Sequence, residues 1–228
     1  MHKTGAVLFL MTLFVTDMAQ AAESVCYGTT SNGRLENGVR LPAEGKNFVS
    51  YGTLPNRVGR TYVHSKVRDI IIDAYRALEK SQPDKAYKYA ETGLETGGRF
   101  KPHKTHCNGL SVDFMVPVTN KEGKSVHLPT NPLNRYGYDI EFDAKGHYEQ
   151  YTIDYEALGA HLVALHKSAV QHGAGIWRVI FDPQLAPNLY STSSGPYLRQ
   201  HIPIQKAKSW VRHDEHYHVD FQIECRPL

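Results

Sequence analysis

Apolar positions recur with two different periods along this chain, and the alternation of the two sets out its elements. Val63, Val67, Ile70, Ile71, Ala74 and Leu78 follow helical spacing and predict a helix near 63–80, stopped by Pro83. Tyr155, Leu158, Leu162, Leu165 and Ala169 predict a second helix over 155–172, ended by Gly173 and Gly175. Strand-like alternation marks 85–91, through Ala86, Tyr87 and Tyr89, and the last strand at 216–224. The apolar run at 111–118 predicts another strand, and 176–181 a buried one. Two strands at 138–142 and 149–153 read as a pair joined by a turn at Ala144-Lys145-Gly146. Residues 22–60, rich in Gly, Asn, Ser and Pro, read as an irregular arm wrapping the domain, and 93–98, 125–135 and 183–208 as loops. Strands and helices are interspersed, but the connections are short and hairpin-like. The expected class is therefore α+β, with a central antiparallel sheet flanked by helices and long loops, not a doubly wound sheet.

The first residues follow a different pattern. His2 and Lys3 precede an apolar run over 5–16, Asp17 interrupts it, and Ala19-Gln20-Ala21 supplies small residues where a signal peptidase reads. Spanning a bilayer takes roughly 20 apolar residues, so 1–21 reads as a cleaved signal peptide. The mature chain, 22–228, is expected to be a single domain, exported to the periplasm without stable membrane insertion. Apolar residues at 41% and charged residues at 21% are ordinary globular values and exclude disorder, collagen-like repeats and coiled coil. A net charge of +3 is too small to argue for nucleic acid. Export puts Cys26, Cys107 and Cys225 in an oxidising compartment, where three thiols allow one pair and one left over. Cys26–Cys225 would close a loop of about 200 residues, a contribution of about 4–5 kcal/mol in the chain-entropy view. Cys107–Cys225 is the rival pairing.

Histidine changes the picture, with 13 in the chain and three of them within six residues of one another near its end. His106 and Asp113 stand seven apart, separated by Asn108-Gly109, residues that tolerate left-handed turns, and His103 precedes by three. That loop can return an imidazole to a carboxylate on the following strand. The second cluster is His213-Asp214-Glu215-His216-Tyr217-His218. In a strand His216, His218 and Asp220 share one face, and Glu215 and Tyr217 take the other if the strand already runs there. Two imidazoles and one carboxylate suit Zn²⁺ and leave a fourth position for water, as catalytic zinc sites do. HExxH, GxSxG and the phosphate-binding glycine loop are absent. Residues 191–194 read as a flexible loop and not as a nucleophile.

Together these residues resemble a known family. Gly97-Gly98-Arg99-Phe100, His103-x-x-His106-x-x-Gly109-Leu110-x-Val112-Asp113 and His213-x-x-His216-x-His218-Val219 are similar to the penicillin-insensitive murein endopeptidases. These belong to the LAS group of zinc peptidases, with the lysostaphin-type peptidases, the D-Ala-D-Ala peptidases and the hedgehog-type domain. Asn32-Gly33-x-Leu35, Leu41-Pro42, Val179-Ile180-Phe181 and Trp210 extend the resemblance over about 28–227. It implies zinc held by His106, Asp113 and His218, with His103 as a secondary metal-meeting histidine. It further implies catalytic roles for His216, a non-ligand histidine beside the metal, and for His213. The departures are the small number of cysteines, Cys107 beside His106, and Glu215 three residues before His218. That last spacing resembles the glutamate base of the D-Ala-D-Ala peptidases. The base is therefore His216 by strand alternation, or Glu215 if a turn ends at His216.

The implied activity is hydrolysis of peptidoglycan cross-links, typically D-alanyl to meso-diaminopimelate, without an acyl-enzyme for a β-lactam to trap. A zinc D,D-carboxypeptidase or dipeptidase on the same fold, and a non-catalytic zinc domain binding cell wall or a partner protein, are the alternative readings. The tyrosine-rich stretch 190–197, with Arg99 and Arg199, offers a lining for an acidic peptide. The sequence leaves a homodimer open.

Overall fold

The computed structural model describes residues 22–228, and the expected signal peptide at 1–21 lies outside them. Five strands form the central sheet: β1 (Phe48–Ser50), β2 (Tyr87–Tyr89), β3 (Ser111–Met115), β4 (Gly175–Ile180) and β5 (His216–Gln222). Their order is β4-β5-β3-β2-β1. The pairings β4–β5, β5–β3 and β3–β2 are antiparallel, as the α+β reading requires, whereas the edge pair β1–β2 is parallel. A parallel neighbour needs a long crossover, and the helix α1 (Ser65–Ser81) lies in that connection.

Helix α1 forms because Val67, Ile70, Ile71, Ala74, Tyr75 and Leu78 make one buried stripe. The His64 side chain caps it by accepting from Lys66 N, and Gln82, which precedes Pro83, ends it. Helix α2 (Tyr155–Gln171) starts at Asp154, whose carboxylate accepts from Ala157 N, and buries Leu158, Leu162, Leu165 and Ala169. The two helices pack together, with Ser168 Oγ donating to the Ile70 carbonyl at 2.8 Å. His161 of α2 reaches the sheet and meets Phe114 of β3 and donates to or accepts from Tyr217 OH of β5. One face of the sheet is thus sealed by apolar burial, at about 1.5–3 kcal/mol per large side chain. The other face is left for polar residues.

Four expectations need correction. The arm is ordered: it holds a hairpin, Val25–Gly28 with Gly33–Glu36, and delivers β1 to the sheet. Its buried apolar residues, Leu35, Leu41, Phe48 and Tyr51, are too irregularly spaced to show either period. Residues 138–142 form no strand. Phe142 N–H donates to Asp214 Oδ2 at 2.5 Å instead of to a ladder, and Tyr151–Ile153 pairs with His147–Tyr148 and Val118–Thr119. The strand expected over 111–118 is divided at Pro117, which has no N–H to donate. The loop at 183–208 contains two short helices, Ala186–Tyr190 and Gly195–His201, whose prolines occupy first-turn positions where a missing N–H costs nothing.

Cys26 and Cys225 are bonded, with Cα atoms 4.8 Å apart, and Cys107 is free and buried. The bond ties the N-terminal hairpin to the segment after β5, beside the bridge between Tyr27 and Arg226. Among the described residues no helix is long and apolar enough to cross a membrane.

Candidate functional site

The polar face of the sheet carries the predicted residues. In the β5–β3 register His218 stands opposite Asp113 and Asp220 opposite Ser111, so alternation brings these side chains out on the face away from the helices. His106 arrives from the loop before β3. It is itself left-handed (φ 71), as is Gly109 (φ 77), and a Cβ at Gly109 would lie 2.8 Å from His64 N. The reversal expected at Asn108-Gly109 is therefore made at His106 and Gly109, which folds the imidazole back over β3. A non-glycine residue in this region is strained, as residues in functional sites often are.

The donor atoms converge. Asp113 Oδ1 lies 3.3 Å from His106 Nε2 and 2.8 Å from His218 Nδ1. Ligand atoms about 2.0–2.1 Å from a tetrahedral ion stand roughly 3.3 Å apart, so His106 Nε2 and Asp113 Oδ1 are spaced to share a cation, while His218 Nδ1 is hydrogen-bonded to the same carboxylate oxygen. The other ring nitrogens are held from behind. His106 Nδ1–H donates to Thr92 O at 2.9 Å and His218 Nε2–H to Asp220 Oδ1 at 2.8 Å. Asp220 is fixed in turn by Ser111 Oγ–H and by Arg178. His106 Nε2 is fully buried and has no hydrogen-bond partner, a costly state for a polar atom unless something binds it. The three residues whose donor atoms all lie within 4.8 Å of one another are His103, His106 and Asp113; His218 is outside that group and joins it through Asp113. His103 Nδ1 is 3.8 Å from Asp113 Oδ2, and its Nε2–H donates to Glu91.

Histidine 216 stands next to this cluster, its Nε2 3.9 Å from Asp113 Oδ2 and its Nδ1 2.6 Å from Glu215 Oε1. Strand β5 begins at His216, so the alternation that would turn Glu215 away does not reach it. Glu215 lies in the bend before the strand, is buried, and shares the groove with His216. His213 packs 4.6 Å from His216, ring to ring, and donates from Nδ1 to Val211 O.

Burial sets the charges. It pushes His216 down to about 4 and His213 to about 3, so both imidazoles are neutral at pH 7. His106 is lowered by the same cause. For His218 burial opposes a charge, but the Asp220 and Asp113 carboxylates outweigh it and push the group up to about 10. Burial also raises Glu215 to about 8. Burial opposes ionisation of Glu91 too, yet His103 and Arg60 hold it down at about 2.

These residues floor a groove of about 650 Å³, walled by Pro132, Arg135 and Tyr136 on one side and by Trp210 and Val211 on another. Arg99, Arg199 and the stretch 190–197, expected as lining, are not part of it. Sequence reasoning found His103, His106, Asp113, His213, Glu215, His216 and His218, and the fold brings all seven together. It missed Glu91, Thr92 and Tyr138, whose OH donates to Asp113 Oδ2 at 2.9 Å. Asp220 showed in the alternation as sharing the face of His218, but not as its partner. Only the fold joins the other three to the cluster.

The family model described as penicillin-insensitive murein endopeptidase matches residues 26–227. The chain belongs to this family, and so to the peptidases that act on murein. No curated protein matches the sequence.

Proposed function

Starting from that membership, we propose that this protein is a zinc-dependent endopeptidase of the periplasm. It hydrolyses the D-alanyl–meso-diaminopimelyl cross-links of peptidoglycan, acting as one domain over 22–228 after removal of 1–21. The observation that carries the reading is the buried, unpartnered Nε2 of His106, 3.3 Å from Asp113 Oδ1, with His103 in the same cluster and His218 Nδ1 on the same carboxylate oxygen. His106, Asp113 and His218 would hold the ion, with His103 beside them. Two imidazole nitrogens, His218 giving up its Nδ1 proton on binding the ion, and a carboxylate suit zinc and leave a position open.

When bound, zinc polarises a scissile carbonyl and lowers the pKa of water toward about 7. The chain's own residues do the rest. Thr92 O and Asp220 fix the ring faces of His106 and His218, and Tyr138 occupies the second oxygen of Asp113. His216, neutral because it is buried, takes a proton from the attacking water at Nε2 and returns it to the leaving amine. Glu215 accepts from His216 Nδ1–H and keeps Nε2 turned toward the groove. His213 spends its only N–H on Val211 O, which leaves it no donor for an oxyanion, so its part is to pack against and orient His216. The reaction goes through no acyl-enzyme, so a β-lactam finds no serine to acylate.

The test is digestion of purified sacculi with and without a chelator, followed by identification of the released muropeptides. Cross-linked dimers should fall to monomers, chelation should stop the reaction, zinc should restore it, and benzylpenicillin should leave it unchanged. Intact dimers, or cleavage indifferent to chelation, would overturn the proposal.

A further inference from the structure

The groove wall at 131–138 contains two consecutive non-glycine residues in the left-handed region, Arg135 (φ 47) and Tyr136 (φ 59). Side chains clash with the backbone there, so each costs stability, and such strain persists only where the surroundings impose it. They do so here. Asn134 Oδ1 accepts from Asn131 N and Gly137 N, and its Nδ2 donates to Pro129 O, all at 2.9 Å. The Tyr136 ring stands edge-on to Tyr51 at 5.9 Å and fills the space over Gly52, where a Cβ would meet it at 2.9 Å. Tyr138 anchors the far end of the segment on Asp113.

The outcome is a rigid wall that carries Arg135 into the groove with its side chain 68% exposed. Among the described residues its one carboxylate contact is a 3.4 Å hydrogen bond to the exposed Asp139. The acids of the groove are already engaged: Glu91 with Arg60 and His103, Asp113 with His218 and Tyr138, Glu215 with His216. Arg178 is held by Asp220. The guanidinium of Arg135 is thus left for an anion that enters from outside.

Resting on the function proposed above, we propose that Arg135 binds the free carboxylate of the diaminopimelate residue at the cross-link. That carboxylate sits on the carbon that bears the scissile nitrogen, so it enters the groove whenever the amide reaches His216. A planar guanidinium fork matches it with two parallel hydrogen bonds.

The test compares two purified muropeptide dimers, one with this carboxylate free and one with it amidated. The wild type should prefer the free form by about 10–100-fold in kcat/KM, mostly through KM. Arg135→Ala should lose about that factor on the free dimer and treat the two dimers alike, and Arg135→Lys should recover part of it. Arg135→Gly separates recognition from folding. Glycine adopts φ 47 without strain, so this variant should melt higher than the wild type while binding as weakly as Arg135→Ala. A wild type that cleaves both dimers equally, or an Arg135→Ala that keeps the preference, overturns this assignment and leaves the function standing. A wild type that cleaves neither overturns both.

Discussion

Glutamate 215 is the residue whose reading changed most between sequence and structure, and it makes the sharpest test. Its carboxylate lies 2.6 Å from His216 Nδ1. A hydrogen bond to a charged group contributes about 1.5–3 kcal/mol. Glu215→Gln keeps an acceptor of the same shape and removes the charge that favours the protonated imidazole. At about 1.4 kcal/mol per decade, kcat should fall roughly 10–100-fold with KM and bound metal unchanged. His216→Ala should fall further, by about 10²–10⁴-fold, also with its metal retained. On the proposed mechanism Glu215 acts through His216, so the double variant should be no slower than His216→Ala alone, the non-additivity that marks one unit. The pH dependence has a fixed sign. Burial raises Glu215 to about 8, and only its ionised form favours the protonated imidazole, so activity should rise with pH up to a pKa at or below about 8. Glu215→Gln should flatten that rise. The assay is dimer cleavage followed by chromatography, with metal content measured on each variant. Losses that multiply in the double variant would refute the argument. So would an active His216→Ala beside a dead Glu215→Gln, which would make Glu215 the base itself.

Metal content should fall strongly in His106→Ala and His218→Ala but not in His216→Ala. Asp220→Asn, which weakens the support behind His218, should reduce metal affinity by about 10–100-fold on titration; full affinity would remove Asp220 from the site. His161, buried against Tyr75 and Phe114, is pushed down to about 3 by burial. The folded state therefore binds its proton less readily than the unfolded chain, whose value is about 6.5. The stability this contributes is complete above about 6.5 and is lost as pH falls toward 3, by about 3 kcal/mol at pH 4. His161→Phe should narrow the gap between urea midpoints at pH 7 and pH 4, and an unchanged gap would contradict this. Cys26→Ser should lower stability by as much as about 5 kcal/mol, since the two cysteines are 199 residues apart. Cys107→Ala should leave the disulfide intact on non-reducing peptide mapping.

What the chain carries in its own order was legible. The two long helices follow from apolar stripes at helical spacing, because a helix buries one face by local repetition alone. The pairing of His216 with His218 follows from strand alternation, and the His106 to Asp113 return from a glycine-bearing loop. What depends on distant segments was not legible. The arm looked irregular because its strand is completed by β2, thirty-odd residues on, across α1. Residues 138–142 have the right composition for a strand, yet the Phe142 N–H is claimed by Asp214 and the Tyr138 hydroxyl by Asp113. Glu215 has strand spacing, but the ladder of β5 begins one residue later and the carboxylate turns to His216. Glu91 and Thr92 hold His103 and His106 through contacts that no spacing announces. The sequence by itself determined which side chains could bind a cation and move a proton. Only the tertiary structure decided which groups stand behind them, because an imidazole's free nitrogen is selected by the partner on its other one, and that partner comes from elsewhere in the chain.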